Sequence, residues 1–273
     1  MRKQVKGDAV AEEILPGVSR ALLQELHLLT RDGDLNADSR RKLKQVNHFL
    51  GLLRPAIEDA LARFGDPVIV DCGAGKGYLG FLLHDVFLKP AGKGTVWCVE
   101  SRADLVRAAE ERAARLGMTR MKFVAASIEG APVPERAHVV TALHACDTAT
   151  DDAILLALAH NADHVALVPC CQAEVARQLE SAKNASPAVA PLFEHPWHRR
   201  EFGSHLTNVL RVLALESKGY RVTVTELAGW EHSLKNELIL GKRVRASDAA
   251  AKDRLDALLA STGVRPKVVR GLA

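Results

Sequence analysis

A handful of short segments in this chain carry side chains able to do chemistry. The first reads VIVDCGAGKGYLG, Val68–Gly80, an apolar run that breaks into glycines. Counted from Gly73 the glycines fall G-A-G-K-G, the spacing of loops that hold a sulfonium nucleoside. Counted from Gly75 they fall G-K-G-Y-L-G, the spacing of a dinucleotide turn. Asp71, at the strand end just ahead of Gly73, decides between them. A pyrophosphate comes close to such a turn, and a carboxylate there repels it. S-adenosyl-L-methionine has no phosphate and carries a sulfonium and an ammonium group, so an acid suits it. The predicted cofactor is therefore S-adenosyl-L-methionine, cradled by Asp71, Gly73, Ala74, Gly75 and Gly77.

Glu100 ends the second apolar run, where a carboxylate can accept both hydroxyls of a ribose. After the third run, Ser127 and Ile128 stand where an adenine ring would lie, with Ile128 on its face. Three more segments are chemically loaded: LHACD, with His144, Cys146 and Asp147; VPCCQ, with Cys170, Cys171 and Gln172; and EHSLKN, with His232, Lys235 and Asn236. Zinc binding by His144 and the cysteines is disfavoured, because adjacent cysteines are poor co-ligands and no C-x-x-C is present, so no metal is expected. Covalent attack by a Pro-Cys thiolate on cytosine belongs after the fourth strand, and that strand ends in HACD instead. The remaining chemistry is direct displacement at a nitrogen or oxygen held in line with the methyl group. In that reading His144 or His232 is the base, Asp147 orients the acceptor, and Lys235 lowers an acceptor hydroxyl's pKa or binds phosphate. The plainer role for the cysteines is as small packing residues, and for each histidine a structural hydrogen bond.

These residues need a scaffold that brings strand ends together. The runs VIVDC, TVWCVE, KFVAAS, HVVTALH and HVALVP alternate with helical patterns, which implies parallel pairing through right-handed crossovers. YRVTVTEL and ELILGKRV are joined by a loop too short for a crossover helix and so form an antiparallel hairpin. The fold class expected is α/β, a seven-stranded class I methyltransferase (Rossmann-like) sheet with a terminal hairpin and an N-terminal helical extension. The boundaries are 1–66 for the helical extension, 67–245 for the donor-binding domain and 246–273 for a C-terminal helix and basic tail. In the extension, a helix starts at an Asp38-Ser39 cap and is kinked or restarted at Pro55. The tail RPKVVRG is expected to be solvated.

The chain has 273 residues and a net charge of +4, which permits an anionic partner without demanding one. Five cysteines, mostly in apolar runs, fit a reducing compartment. The N-terminus lacks the apolar core of a signal peptide and no run is long enough to span a bilayer, so a cytoplasmic protein without membrane contact is expected. Oligomeric state is not legible.

Taken in order, DCGAGKGYLG, LHACDTATDD, VPCCQ and EHSLKN resemble a methyltransferase family of bacterial proteins. That family also includes an animal protein in which such a domain follows a glutathione-transferase-like region. More distantly the motifs resemble the eukaryotic tRNA acceptor-stem ribose methyltransferases. The likeness covers roughly residues 44–242. It implies a donor-contacting pair at Lys44 and Gln45 and a place for His144 beside the donor. Relatives carry glycine at Asp147, and a carboxylate there disfavours a nearby phosphate. The Asn-Pro-Pro-Tyr signature of exocyclic-amine methylation is absent.

RNA, tRNA or rRNA, is the acceptor expected first. In HPWHRREFGSH, read as a segment ahead of the next helix, Trp197 and Phe202 stack on a base while Arg199, Arg200 and Lys235 meet phosphates. Cys170, Cys171, Gln172 and Asn236 complete the acceptor wall. A small molecule or protein side chain as acceptor, or a donor-binding protein without catalysis, remain as alternatives.

Overall fold

The computed structural model describes residues 17–143, 145–170, 172–182, 185–227 and 236–272. Five strands come first, β1 Val68–Cys72, β2 Thr95–Glu100, β3 Met121–Ala125, β4 Val139–Leu143 and β5 His164–Val168, with helices between them except from β3 to β4, where the expected helix is replaced by a loop. A hairpin of β6 Tyr220–Glu226 and β7 Glu237–Arg243 completes the sheet. The order is β3-β2-β1-β4-β5-β7-β6, parallel throughout except where β7 runs antiparallel to β5 and β6. The order in which strands are added reverses between β1 and β4, and in open α/β sheets ligands bind at such a switch point, beyond the carboxyl ends of the strands. Among the described residues no helix is long and apolar enough to cross a membrane.

Helices cover both faces, which is why the central strands are apolar on both sides. On one face lie α1 Arg20–Glu25, α2 Ala37–Arg63, α3 and α4 Ala103–Arg115. Helix α3 runs as Tyr78–Leu83, a π turn at His84–Leu88 and a last turn Lys89–Ala91. Leu22, Phe49, Leu50 and Leu53 share one core with Phe81, Leu83 and Val96, so the N-terminal helices are packed into the sheet's own core. On the other face lie α5 Ala149–Ala159, α6 Glu174–Glu180 and α7 Pro196–Ser217, with α8 Ala249–Thr262 and α9 Lys267–Arg270 outside them.

Four local expectations need correcting. The cap of α2 is Asn36, whose side chain accepts from the Ser39 N–H at 2.8 Å, so Asp38 and Ser39 sit inside the first turn. Helix α2 runs unbroken through Pro55. The burial of Leu50, Leu53 and Ile57 around it outweighs the one hydrogen bond a proline removes. The segment HPWHRREFGSH is the first half of α7, with Pro196 at its first position, where a missing N–H costs nothing. The basic tail is docked rather than solvated. Val268 is fully buried, the Lys267 N–H donates to Glu174 at 2.9 Å, and its ammonium lies 2.6 Å from Asp152. Apolar residues at 264 and 268 give this tail a face to bury, which its charge conceals in the sequence.

Candidate active site

The donor edge is built mostly from backbone. After β1 the chain turns through Gly73, Gly75 and Gly77, all with φ between 57° and 78°, a left-handed region that side chains resist. The Ala74 N–H donates to the Val99 carbonyl at 2.9 Å, pinning the turn to β2, and Gly77 starts α3. Gly80 permits the close approach of α3 to β2, since a Cβ there would sit 2.4 Å from the Cys98 sulfur.

Glu100 is buried at the end of β2. One carboxylate oxygen accepts from the Gly75 N–H at 2.8 Å. The other accepts from the Arg102 N–H at 3.1 Å and Nε at 3.0 Å. Burial pushes this carboxyl up, yet those donors outweigh it and hold it below the usual range. The structure thus brings Glu100 directly under the glycine loop. Both carboxylate oxygens accept hydrogen bonds from nearby residues.

Asp71 lies behind the loop, not on its surface. It is 1% exposed, accepts from the Thr141 hydroxyl at 3.1 Å, and its second oxygen is without a hydrogen-bond partner among the described residues. Burial raises it to about 7. The acid expected to face the donor is therefore a desolvated group beneath the turn, able to favour a cation through a low dielectric. Ile128 is buried and Ser127 exposed, the Ser127 hydroxyl donating to the Glu129 carbonyl. On α2, Gln45 is buried and Lys44 exposed.

The acceptor edge is built from side chains. The loop after β4 abuts the glycine loop: a Cβ at Gly73 would lie 3.6 Å from that of Ala145. Asp147 has a φ of 48°. Its carboxylate accepts from the Ala173 and Glu174 N–H groups at 3.0 and 3.3 Å and pairs with Arg177 at 3.3 Å. Asp147, expected to orient an acceptor, ties the loop after β4 to the start of α6 through these bonds. Its carboxyl stays below the usual range because those bonds outweigh burial.

Behind this edge sits Arg211 of α7, fully buried. Its Nε donates to Asp151 at 2.7 Å, one terminal nitrogen to the Asp147 carbonyl at 2.7 Å, and the other to Asn208 at 3.2 Å. Asn208 donates to Glu237 at the start of β7 at 3.0 Å and accepts from Gln172 at 3.3 Å. Ser204 donates to the Gln172 carbonyl oxygen at 2.7 Å. One guanidinium so joins the loops after β4 and β5 to the first residue of β7. Burial, larger than the pull of Arg211, leaves Asp151 above its usual range. Sequence reasoning missed Arg211, Asp151, Asn208 and Glu237. The available signal was an arginine inside the apolar stretch VLRVLALES, a position that tolerates a charge only when it is paired.

A cleft of about 440 Å³ opens over this network, lined by Gln172, Trp197, Arg200, Ser204, His205 and Glu237 among others. Trp197 is 64% exposed and carries the Arg200 guanidinium 4.2 Å above its ring. Arg200 is also paired with Glu201, and Arg199 with Glu180. Phe202 is turned inward, stacked on Phe193. Of the acceptor wall, Gln172, Trp197 and Arg200 converge here. Arg199 is paired with Glu180 on α6, and Asn236 is buried just ahead of β7. Cys146 and Cys170 face each other, sulfurs 3.2 Å apart. His144, Cys171, His232 and Lys235 lie outside the described residues.

A family described as a methyltransferase domain matches residues 41–178. No curated protein sequence matches the chain. Among solved structures, an rRNA methylase from Streptococcus thermophilus aligns at 12% identity and a TM-score of 0.46, over 71% of this chain and 95% of that one. The magnesium protoporphyrin IX methyltransferase of Synechocystis, with bound S-adenosylhomocysteine, aligns at 13% identity and 0.48, over 81% and 94%. A Podospora anserina methyltransferase, also bound to S-adenosylhomocysteine, aligns at 13% and 0.48, over 86% and 92%.

Proposed function

Because the chain belongs to that methyltransferase-domain family and is an S-adenosylmethionine-dependent methyltransferase, we propose that it transfers the methyl group directly to a nitrogen or oxygen of RNA. The observation that carries the donor half is Glu100 bonded to Gly75 beneath a turn of three left-handed glycines. When bound, the donor supplies an electrophilic methyl carbon on a sulfonium. Glu100 accepts the ribose hydroxyls, the Gly73–Gly77 turn leaves room for the amino-acid end, and buried Asp71 favours the positive charge. Ile128 covers the adenine face. Lys44 and Gln45 complete the donor wall.

On the acceptor side the chain's task is to hold a nucleophile in line and to keep it there. Trp197, exposed and capped by Arg200, offers a face on which a base stacks. The amides of Gln172 and Asn208 under it can read a base edge, as single-stranded RNA is usually read. His144 or His232 removes the acceptor proton where the acceptor carries one, and Lys235 lowers an acceptor hydroxyl's pKa. The pairing of Arg199 and Arg200 with glutamates argues for base contact over phosphate contact. Glu201 and Glu237 in the cleft wall also favour a second reading, a small cationic or neutral acceptor enclosed there.

Labelled methyl transfer by the purified enzyme into RNA, protein and small-molecule fractions of a deletion strain separates the two. Label in RNA that is lost with Trp197→Ala supports the first. Label confined to the small-molecule fraction sinks it.

A further inference from the structure

The Cys146 and Cys170 sulfurs are 3.2 Å apart, in loops that follow two neighbouring parallel strands, β4 and β5. The backbones carrying them are clamped. Asp147, next to Cys146, holds the Ala173 and Glu174 N–H groups three and four residues beyond Cys170. Arg211 holds the Asp147 carbonyl from behind. A disulfide needs its sulfurs about 2.05 Å apart, so closing this pair requires a shift of roughly 1 Å. Cys146 is exposed and Cys170 partly covered. Cys72 and Cys98, by contrast, are buried and their thiols pushed far up by desolvation.

We propose that Cys146 and Cys170 are a modification site, a dithiol that a peroxide converts reversibly to a disulfide bridging the two acceptor-side loops. The Cys146 thiolate attacks one peroxide oxygen, the O–O bond breaks, and a sulfenic acid and one water result. The Cys170 thiolate then attacks the sulfenic sulfur, the S–O bond breaks, and a second water leaves. Two thiols lose two electrons and two protons, and one peroxide becomes two waters. The bridge fixes the loop that abuts Gly73, so it acts where donor and acceptor meet. The proposal stands apart from the identity of the acceptor, because the crosslink forms whatever is methylated.

The test treats the purified full chain with a few equivalents of hydrogen peroxide and follows intact mass and peptide mapping. The expected product is lighter by about 2 Da, is reversed by dithiothreitol, and fragments to a Cys146–Cys170 bond. Peptide fragmentation distinguishes Cys170 from its neighbour Cys171. Cys171→Ser should crosslink as the parent does, while Cys146→Ser and Cys170→Ser should not. A crosslink that persists in Cys170→Ser, or vanishes in Cys171→Ser, overturns the assignment. So does Cys146 advancing to sulfinic acid in the unmodified protein with no crosslink. Mapping the parent protein keeps the test sound even where a variant folds poorly.

Discussion

The two halves of the site are made of different material. The donor edge is local: a turn, a strand end and one carboxylate, with Asp71 to Arg102 spanning a short stretch of chain. The acceptor edge is assembled from four separated segments by a buried charge. Arg211 is 60 residues from Asp151 and 64 from the Asp147 carbonyl it holds. Backbone-built sites depend on φ and a few N–H groups and are rigid without much support. Sites built from side chains depend on every partner being present, because an unpaired buried charge is expensive. The lesson is that damage should spread on the acceptor side and stay confined on the donor side.

The largest effect should come from Arg211→Met. Removing one partner of a buried pair typically costs about 3–5 kcal/mol, read as a lower urea midpoint. The double variant Arg211→Met with Asp151→Leu should recover most of that. If the single variant is as stable as the parent, the acceptor edge does not hang on this arginine. Next, Glu100→Gln should leave the urea midpoint nearly unchanged and weaken adenosylhomocysteine binding by about tenfold or more, the value of hydrogen bonds to a charged group. Calorimetry checks this. A large stability loss would make the donor edge no different from the acceptor edge.

Asp71 sharpens the comparison through pH. The carboxyl titrates near 3.8 in the unfolded chain and at about 7 in the folded protein, so the folded state holds its proton more tightly. Stability is greatest below the lower value, falls as pH rises between the two, and is level above about 7. Asp71→Asn should therefore match the parent near pH 4 and exceed it by up to a few kcal/mol near pH 8. Donor affinity should rise with pH through neutrality in the parent and stay flat in the variant. A parent whose stability is level from pH 4 to 8 would refute the burial argument. Smallest of all, Arg102→Ala should shift adenosylhomocysteine affinity by no more than a few-fold, since its side chain is 64% exposed and such pairs contribute little.

All seven strands fall on the β-branched runs, though no helix separates β3 from β4, and the β6–β7 hairpin follows from its short loop. The placement of Glu100 under the glycine loop was legible because it is tied to chain position. The first residue of a turn and the last of a strand carry their geometry with them. The tethering bonds of Asp147 were not legible because its partners, Ala173, Glu174 and Arg177, are distant in sequence. The docking of the tail 265–271 was not legible because three basic residues conceal the buried Val268.

The sequence by itself determined the strands, the terminal hairpin and the glycine turn, since periodicity and φ preference are properties of neighbours along the chain. Only the tertiary structure decided that Asp71 is buried, that Asp147 is a tether, and that Arg211 gathers the acceptor loops. Desolvation and pairing depend on what arrives from elsewhere in the chain, and no local pattern records that.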